Sequence, residues 1–230
     1  MFLSRVQVAT EGLDRQALLS LLAGNAYSNH QLLWRLFPAS PERSFLFRQE
    51  LEQEQLGAEH SPRGLPLFYV LSTELPEGVP GLLSVESKPF APQLVRGQRL
   101  RFRLRANPTV ARKPEGGGRS VRHDVLMDAK THCKKQSVAK DQMGRHMDEA
   151  AVEWLESRSS TGGFSLDANP QVSGYRQHVL RRKGREIRFS SVDYEGILTV
   201  IDPDQFNATL REGLGRSKAF GCGLLMVRRV

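Results

Sequence analysis

The chain has 230 residues, room for one large domain or two small ones, and its 39% hydrophobic and 25% charged residues exclude wholesale disorder and collagen-like repeats. Its longest leucine-rich run, Ala17 to Ala23, falls far short of the roughly 20 apolar residues that cross a bilayer, so no membrane span or membrane partner is expected. Thirty-three Lys and Arg against 25 Asp and Glu give a formal charge of +8, which favours a polyanionic partner, nucleic acid first, over the alternative of a basic solvated or protein-binding surface.

The first eight residues alternate apolar and polar side chains as a strand does and lack the pattern of a secretory signal, so the cytoplasm is the expected location. Asp14 is a plausible N-cap for a helix carrying Leu18, Leu19, Leu21 and Leu22, which Gly24-Asn25 breaks. A second helical segment runs from about Ser28 to Phe37 and stops at Pro38. Strands are predicted over Ser44–Leu51, Leu65–Thr73 and Leu82–Glu86. Glu50, Glu52 and Glu54 alternate at a strand end and are read as a solvated edge in preference to a magnesium site.

The charge balance then changes. Residues 1 to 95 hold 7 basic against 10 acidic residues, a balance of −3, whereas residues 96 to 230 hold 26 against 15, a balance of +11. With two prolines in Ser87-Lys-Pro-Phe-Ala-Pro92, this places a domain boundary near residues 87 to 96, giving a first domain over 1–90 and a basic second domain over 96–230. In Arg99-Leu-Arg-Phe-Arg-Leu-Arg105 the period of two sets Leu100, Phe102 and Leu104 on one face and four arginines on the other, with Arg101, Arg103 and Arg105 as a candidate phosphate track. Arg112 and Lys113 open a glycine-containing connection expected to be mobile and to order on binding. A helix near Met147–Glu156 follows, then a hairpin over Val179–Phe189 turning at Gly184, with Arg181, Arg182, Lys183 and Arg185 at its tip. Strand-like Ile197–Ile201 leads to Asp202-Pro203, an N-cap and N1 pair opening a helix to about Glu212, and Ala219–Val230 forms a loop and a last strand. Both halves approximate a β-α-β-β-α-β order, so the expected class is α+β with two tandem ferredoxin-like domains.

Gly213-Leu-Gly215-Arg-Ser-Lys-Ala-Phe-Gly221-Cys-Gly223 is the most distinctive run. Its glycines permit close backbone approach, and Arg216 and Lys218 carry charge for phosphates; a phosphate-binding loop and a structural turn are equal readings on physics alone. A Rossmann reading fails because lysine stands where the third glycine is needed and because the order is helix, loop, strand.

This run resembles the C-terminal glycine-rich signature of the repeat-associated RNA-binding proteins, most closely the CasE family. The likeness extends over the whole chain, including a tyrosine-histidine pair in Ala26-Tyr27-Ser-Asn-His30-Gln31. The resemblance implies an RNA-binding cleft between two ferredoxin-like domains and metal-independent cleavage of CRISPR repeat RNA at the base of its stem-loop, without a cofactor. It also implies retention of the mature crRNA and assembly with other Cascade subunits. His30 is implied as general base or acid and Tyr27 as the group orienting the 2′-hydroxyl or phosphate. Arg35 is implied to stabilise charge on the phosphorane, although a five-residue step turns it away from His30 on an ideal helix. The hairpin arginines and Lys183 are implied to grip one side of the stem. A non-catalytic RNA-binding subunit of the same superfamily and a metal-dependent nuclease are the competing readings.

Overall fold

The computed structural model describes residues 1–9, 26–51, 66–114, 116–182 and 185–230. The helix expected after Asp14, with Glu52, Glu54, Lys183 and Gly184, lies outside them, and so do the side chains of Arg181, Arg182 and Arg185. The chain divides into two compact units. One joins Met1–Pro92 to Lys218–Leu224, and the other joins Gln93–Ser217 to Leu225–Val230.

The first unit is built on strands β1 (Phe2–Val8), β2 (Phe45–Leu51), β3 (Pro66–Ser72) and β4 (Leu83–Pro89), with helix α1 (Ala26–Trp34) between β1 and β2. The strands lie in the antiparallel order β2-β3-β1-β4, which is the ferredoxin-like order. Leu32, Leu33, Leu36 and Phe37 fall at helical spacing and pack with Phe45, Phe47, Phe68, Val70, Val6 and Val8 into one buried core. The opposite face of β2 and β3 is also shielded, since Leu46, Arg48, Glu50 and Leu71 are each at most 5% exposed. The solvated edge expected at Glu50 is therefore corrected: its carboxylate is buried against the Arg48 guanidinium at 3.0 Å. A charge taken out of water in this way requires a partner, and the residue two positions away on the same strand face supplies it.

The second unit contains β5 (Arg99–Ala106), the short hairpin β6 (Thr109–Arg112) and β7 (Val121–Asp124), and helices α2 (Val125–Lys135) and α3 (Lys140–Ser159). Strands β8 (Phe164–Leu166), β9 (Gln171–Arg182) and β10 (Arg185–Val200), helix α4 (Pro203–Glu212) and β11 (Leu225–Arg229) complete it. The sheet order is β11-β5-β10-β8, and β9 also pairs with β10, so β8 and β9 together take the place of one strand beside β10. Three expectations are corrected here. The hairpin return strand and the strand over Ile197–Ile201 are one 16-residue strand, whose pairing with β9 shifts between Ser191 and Asp193. Helix α2 was not anticipated; Asp124 caps it by accepting from the Met127 N–H at 2.9 Å. Arg112 lies in a paired strand and donates to Asp128 at 2.7 Å instead of waiting in a mobile connection. The Asp202-Pro203 start is as expected, the Asp202 carboxylate accepting from the N–H groups of Asp204 and Gln205 at 3.0 Å.

Candidate active site and nucleic-acid surface

In the first unit, Asn29 fastens α1 to β2 by donating to Gln49 Oε1 at 2.6 Å, while Leu32 and Leu33 turn into the core. This sets the flank carrying Tyr27, His30 and Trp34 along the aromatic row of β2. The His30 ring stands 6.0 Å from that of Phe45 and 6.5 Å from that of Phe47, stacked on the latter. Its Nε2 accepts from the Trp34 indole N–H at 3.0 Å. With Nε2 engaged as the acceptor, a neutral ring carries its proton on Nδ1. Tyr27 is half-buried one helical turn before His30, and its hydroxyl accepts from Gln31 at 3.2 Å. Arg35 lies past the helix end, exposed, in a turn where its N–H reaches the Leu32 carbonyl.

The glycine-rich run is divided between the units. Lys218–Phe220 forms a single 3₁₀ turn that packs on α1 and β2, the elements that position His30. Gly221 follows at φ +83°, where a Cβ would stand 3.2 Å from the Phe47 ring that stacks on the histidine. Glycine is required there for both dihedral and space. Gly223 also takes a positive φ, and Cys222 between the two is buried and reduced. Gly213, Gly215 and Arg216 belong to the second unit. Gly213 closes α4 by donating to the Thr209 carbonyl at 2.8 Å. Gly215, at φ +78°, carries the chain past the Trp154 ring, which a Cβ would meet at 3.2 Å. The run thus serves one element in each unit. Its first half ends helix α4 and its second half builds onto α1.

On β5 two arginines of the expected phosphate track have carboxylate partners. Arg103 meets Glu195 at 2.6 Å and Arg105 meets Asp193 at 2.8 Å, both carboxylates coming from β10, which pairs with β5 in that register. Arg99 is held by Asp167 at 2.7 Å. Arg101 is exposed and has no ion-pair partner among the described residues. The alternation in the sequence gave the face of each arginine and no sign of the acidic strand beside it. Lys113 is exposed.

Sequence reasoning passed over a second group, formed where β7 and the arms of the β9–β10 hairpin face each other. Tyr175 donates to the Asp124 carboxylate at 3.2 Å, and Gln177 donates to the Tyr175 hydroxyl at 3.0 Å. His178 stacks on Phe189 at 4.5 Å, and its Nε2 lies 2.8 Å from the Ser191 hydroxyl. Burial, reinforced by Arg105 and Arg176, holds this imidazole below its ordinary value. No local motif signals these residues, because the register of two long strands brings them together.

A family model described as "CRISPR associated protein" matches residues 1–229. The chain belongs to this family. It is 39% identical over 151 residues to the CRISPR-associated endoribonuclease Cse3 of Thermus thermophilus, a match spanning 61% of this chain and 60% of that protein. It is 26% identical over 201 residues to the CRISPR system Cascade subunit CasE of Escherichia coli K12, spanning 86% of this chain and 89% of that one. Among solved structures, CRISPR endoribonuclease Cse3 bound to a 19-nucleotide RNA superposes with a TM-score of 0.69 at 30% identity, over 99% of this chain and all of that one. The fold is therefore that of tandem ferredoxin-like domains. Among the described residues no helix is long and apolar enough to cross a membrane.

Proposed function

We propose that this protein is an endoribonuclease that cleaves CRISPR repeat RNA at the base of its stem-loop. In this reading it works in the prokaryotic cytoplasm without a metal, keeps the mature crRNA, and assembles with the other subunits of a Cascade complex. One observation carries the reading: the two segments that resemble the family, Tyr27–His30 and Lys218–Gly221, come from opposite ends of the chain and pack within one unit, around Phe47.

The chemistry follows from the side chains. His30 acts as general base, taking the proton of the 2′-hydroxyl, or as general acid, giving one to the departing 5′-oxygen, with solvent completing the other transfer, while O2′ attacks the adjacent phosphorus and the bond to the 5′-oxygen breaks. The products are a 2′,3′-cyclic phosphate and a 5′-hydroxyl, and because the nucleophile belongs to the substrate no water has to be activated. Tyr27 orients the hydroxyl or the phosphate, and Arg35 and Lys218 supply positive charge for the phosphorane. The Trp34 bond marks the step that precedes catalysis, since His30 Nε2 must exchange the indole for substrate to act as a base, and while the bond holds the ring offers substrate only the donor Nδ1–H. The same bond is what favours the non-catalytic reading, in which Trp34 simply secures a packed histidine.

Trp34→Phe keeps an aromatic ring while removing that N–H. The expected result is cleavage slowed roughly 10- to 100-fold by loss of ring orientation, with affinity for the stem-loop unchanged. An unaltered single-turnover rate would show that the bond plays no part in aligning His30.

The hairpin residues Arg181, Arg182, Lys183 and Arg185 are assigned to one face of the stem, and Arg101, Arg103, Arg105, Arg112 and Lys113 to phosphates, with Arg103, Arg105 and Arg112 already paired to Glu195, Asp193 and Asp128. Free cations release counterions on binding, whereas cations already neutralised by a carboxylate contribute less. Arg101→Ala should therefore flatten the dependence of log affinity on log salt by about one unit, and Arg103→Ala by less. Equal slopes for the two variants in a salt titration would contradict the distinction drawn from their ion pairs.

A further inference from the structure

The groove between β7 and the β9–β10 hairpin has no task in the mechanism above. It encloses about 420 Å³, and its lining includes Asn107, Arg122, His123, Gln177, Arg216 and Ser217. Arg122 and Arg216 are exposed and have no ion-pair partner among the described residues. The one carboxylate in the lining, Asp124, is turned to the cap of α2 and to Tyr175. Ser217 is held in the left-handed region at φ +56°, which non-glycine residues seldom adopt, and its hydroxyl accepts from the Asn107 amide at 2.7 Å. Ser190, also part of the lining, is 3% exposed, and its hydroxyl has no hydrogen-bond partner among the described residues. Buried polar groups are nearly always satisfied, so one left without a partner beside a charged groove marks a place that a polar ligand completes.

We propose that this groove holds a single-stranded segment of RNA flanking the stem, one nucleotide at a time in its depth, apart from the stem grip assigned to the hairpin tip. The inference rests on the repeat-RNA reading. The volume suits about one nucleotide and is too small for a base-paired stem. The chemistry suits a splayed ribonucleotide: Arg122 and Arg216 meet successive phosphates. The exposed His123 ring and the guanidinium planes offer stacking, and the Gln177 and Asn107 amides and the Ser190 hydroxyl offer hydrogen bonds to a base edge or a 2′-hydroxyl. Arg188, on the groove wall, is already bound to Glu186 and adds little charge.

The test compares wild type with Arg122→Ala and His123→Ala in fluorescence anisotropy on three probes: the cognate stem-loop with its single-stranded flanks, the same stem-loop trimmed flush, and a six-uridine RNA. Both substitutions are on exposed side chains, so folding is preserved. Each variant should bind the flanked RNA about 5- to 10-fold more weakly, with the Arg122→Ala salt slope lower by about one unit, and bind the trimmed stem-loop as wild type does. The six-uridine RNA should lose binding in both variants at low salt. An equal loss on flanked and trimmed RNA would place the stem in the groove and overturn the proposal, as would retention of wild-type affinity on all three probes. If wild type fails to bind the trimmed stem-loop, the repeat-RNA reading fails, while the six-uridine arm still decides whether the groove takes single-stranded RNA.

Discussion

His30→Ala is expected to abolish cleavage of a cognate repeat hairpin while leaving its affinity within about twofold, because general acid-base catalysis by one positioned side chain is worth roughly 10²- to 10⁴-fold and the ring, packed beside Phe45 and Phe47, is not among the residues assigned to grip the stem. The assay is single-turnover cleavage in excess EDTA, with a 2′-deoxy substitution at the scissile nucleotide as the chemical control. Wild type should give a cyclic-phosphate end, and neither His30→Ala nor the deoxy substrate should be cut. Cleavage lost with EDTA would move the protein to a metal-dependent nuclease, and tight binding with no cleavage by wild type would leave an RNA-binding subunit. Replacing His30 with alanine also takes away the acceptor of the Trp34 indole, so His30→Gln, which can still accept from Trp34, separates lost proton transfer from disturbed packing. Both variants should be inactive, and only His30→Ala should lower stability.

The parts of the fold that could be read from sequence are those where one period dominates. Leu100, Phe102 and Leu104 fill one face of β5 because strict alternation on a strand leaves no other arrangement, and Asp202-Pro203 starts α4 because cap and ring act within four residues. Helix α2 escaped because only Val125, Leu126 and Cys133 are buried in its 11 residues, too few for a visible stripe, and its start depends on a cap that reads equally well as a loop aspartate. The long β10 was divided in two because the shift at Ser191–Asp193 interrupts the alternation on which a strand is recognised. At the site, the pairing of Tyr27 with His30 was legible as an i, i+3 relation within one helix. The packing of Lys218–Phe220 on that helix was not, because it joins segments separated by most of the chain. Nor was the engagement of Arg103 and Arg105, since a residue's own strand carries no information about the charges that register brings beside it.

Gly163→Ala should be among the most destabilising single substitutions in the second unit, although nothing in the sequence around it draws attention. Gly163 has φ +77°, and a Cβ there would lie 2.6 Å from both the Asp202 carbonyl oxygen and the Phe206 nitrogen. Its own carbonyl accepts from the N–H groups of Ile201 and Asp202 at 2.9 and 3.0 Å, so the start of α4 is docked on this residue from two sides. The atoms struck are backbone and cannot swing aside as a side chain would. The dihedral contributes about 1–2 kcal/mol and the forced separation about 1–3 kcal/mol, for a loss of about 2–5 kcal/mol. Gly97→Ala isolates the first contribution, because Gly97 has φ +82° with nothing within 4 Å of the added carbon. Unfolding in urea, followed by Trp154 fluorescence in a Trp34→Phe background where it is the sole tryptophan, reports on the unit that holds both glycines. Gly97→Ala should lower the stability by about 1 kcal/mol and Gly163→Ala by substantially more. A difference between them below about 0.5 kcal/mol would mean that α4 yields to the methyl group, and that the docking of its first turn on Gly163 is looser than these distances require.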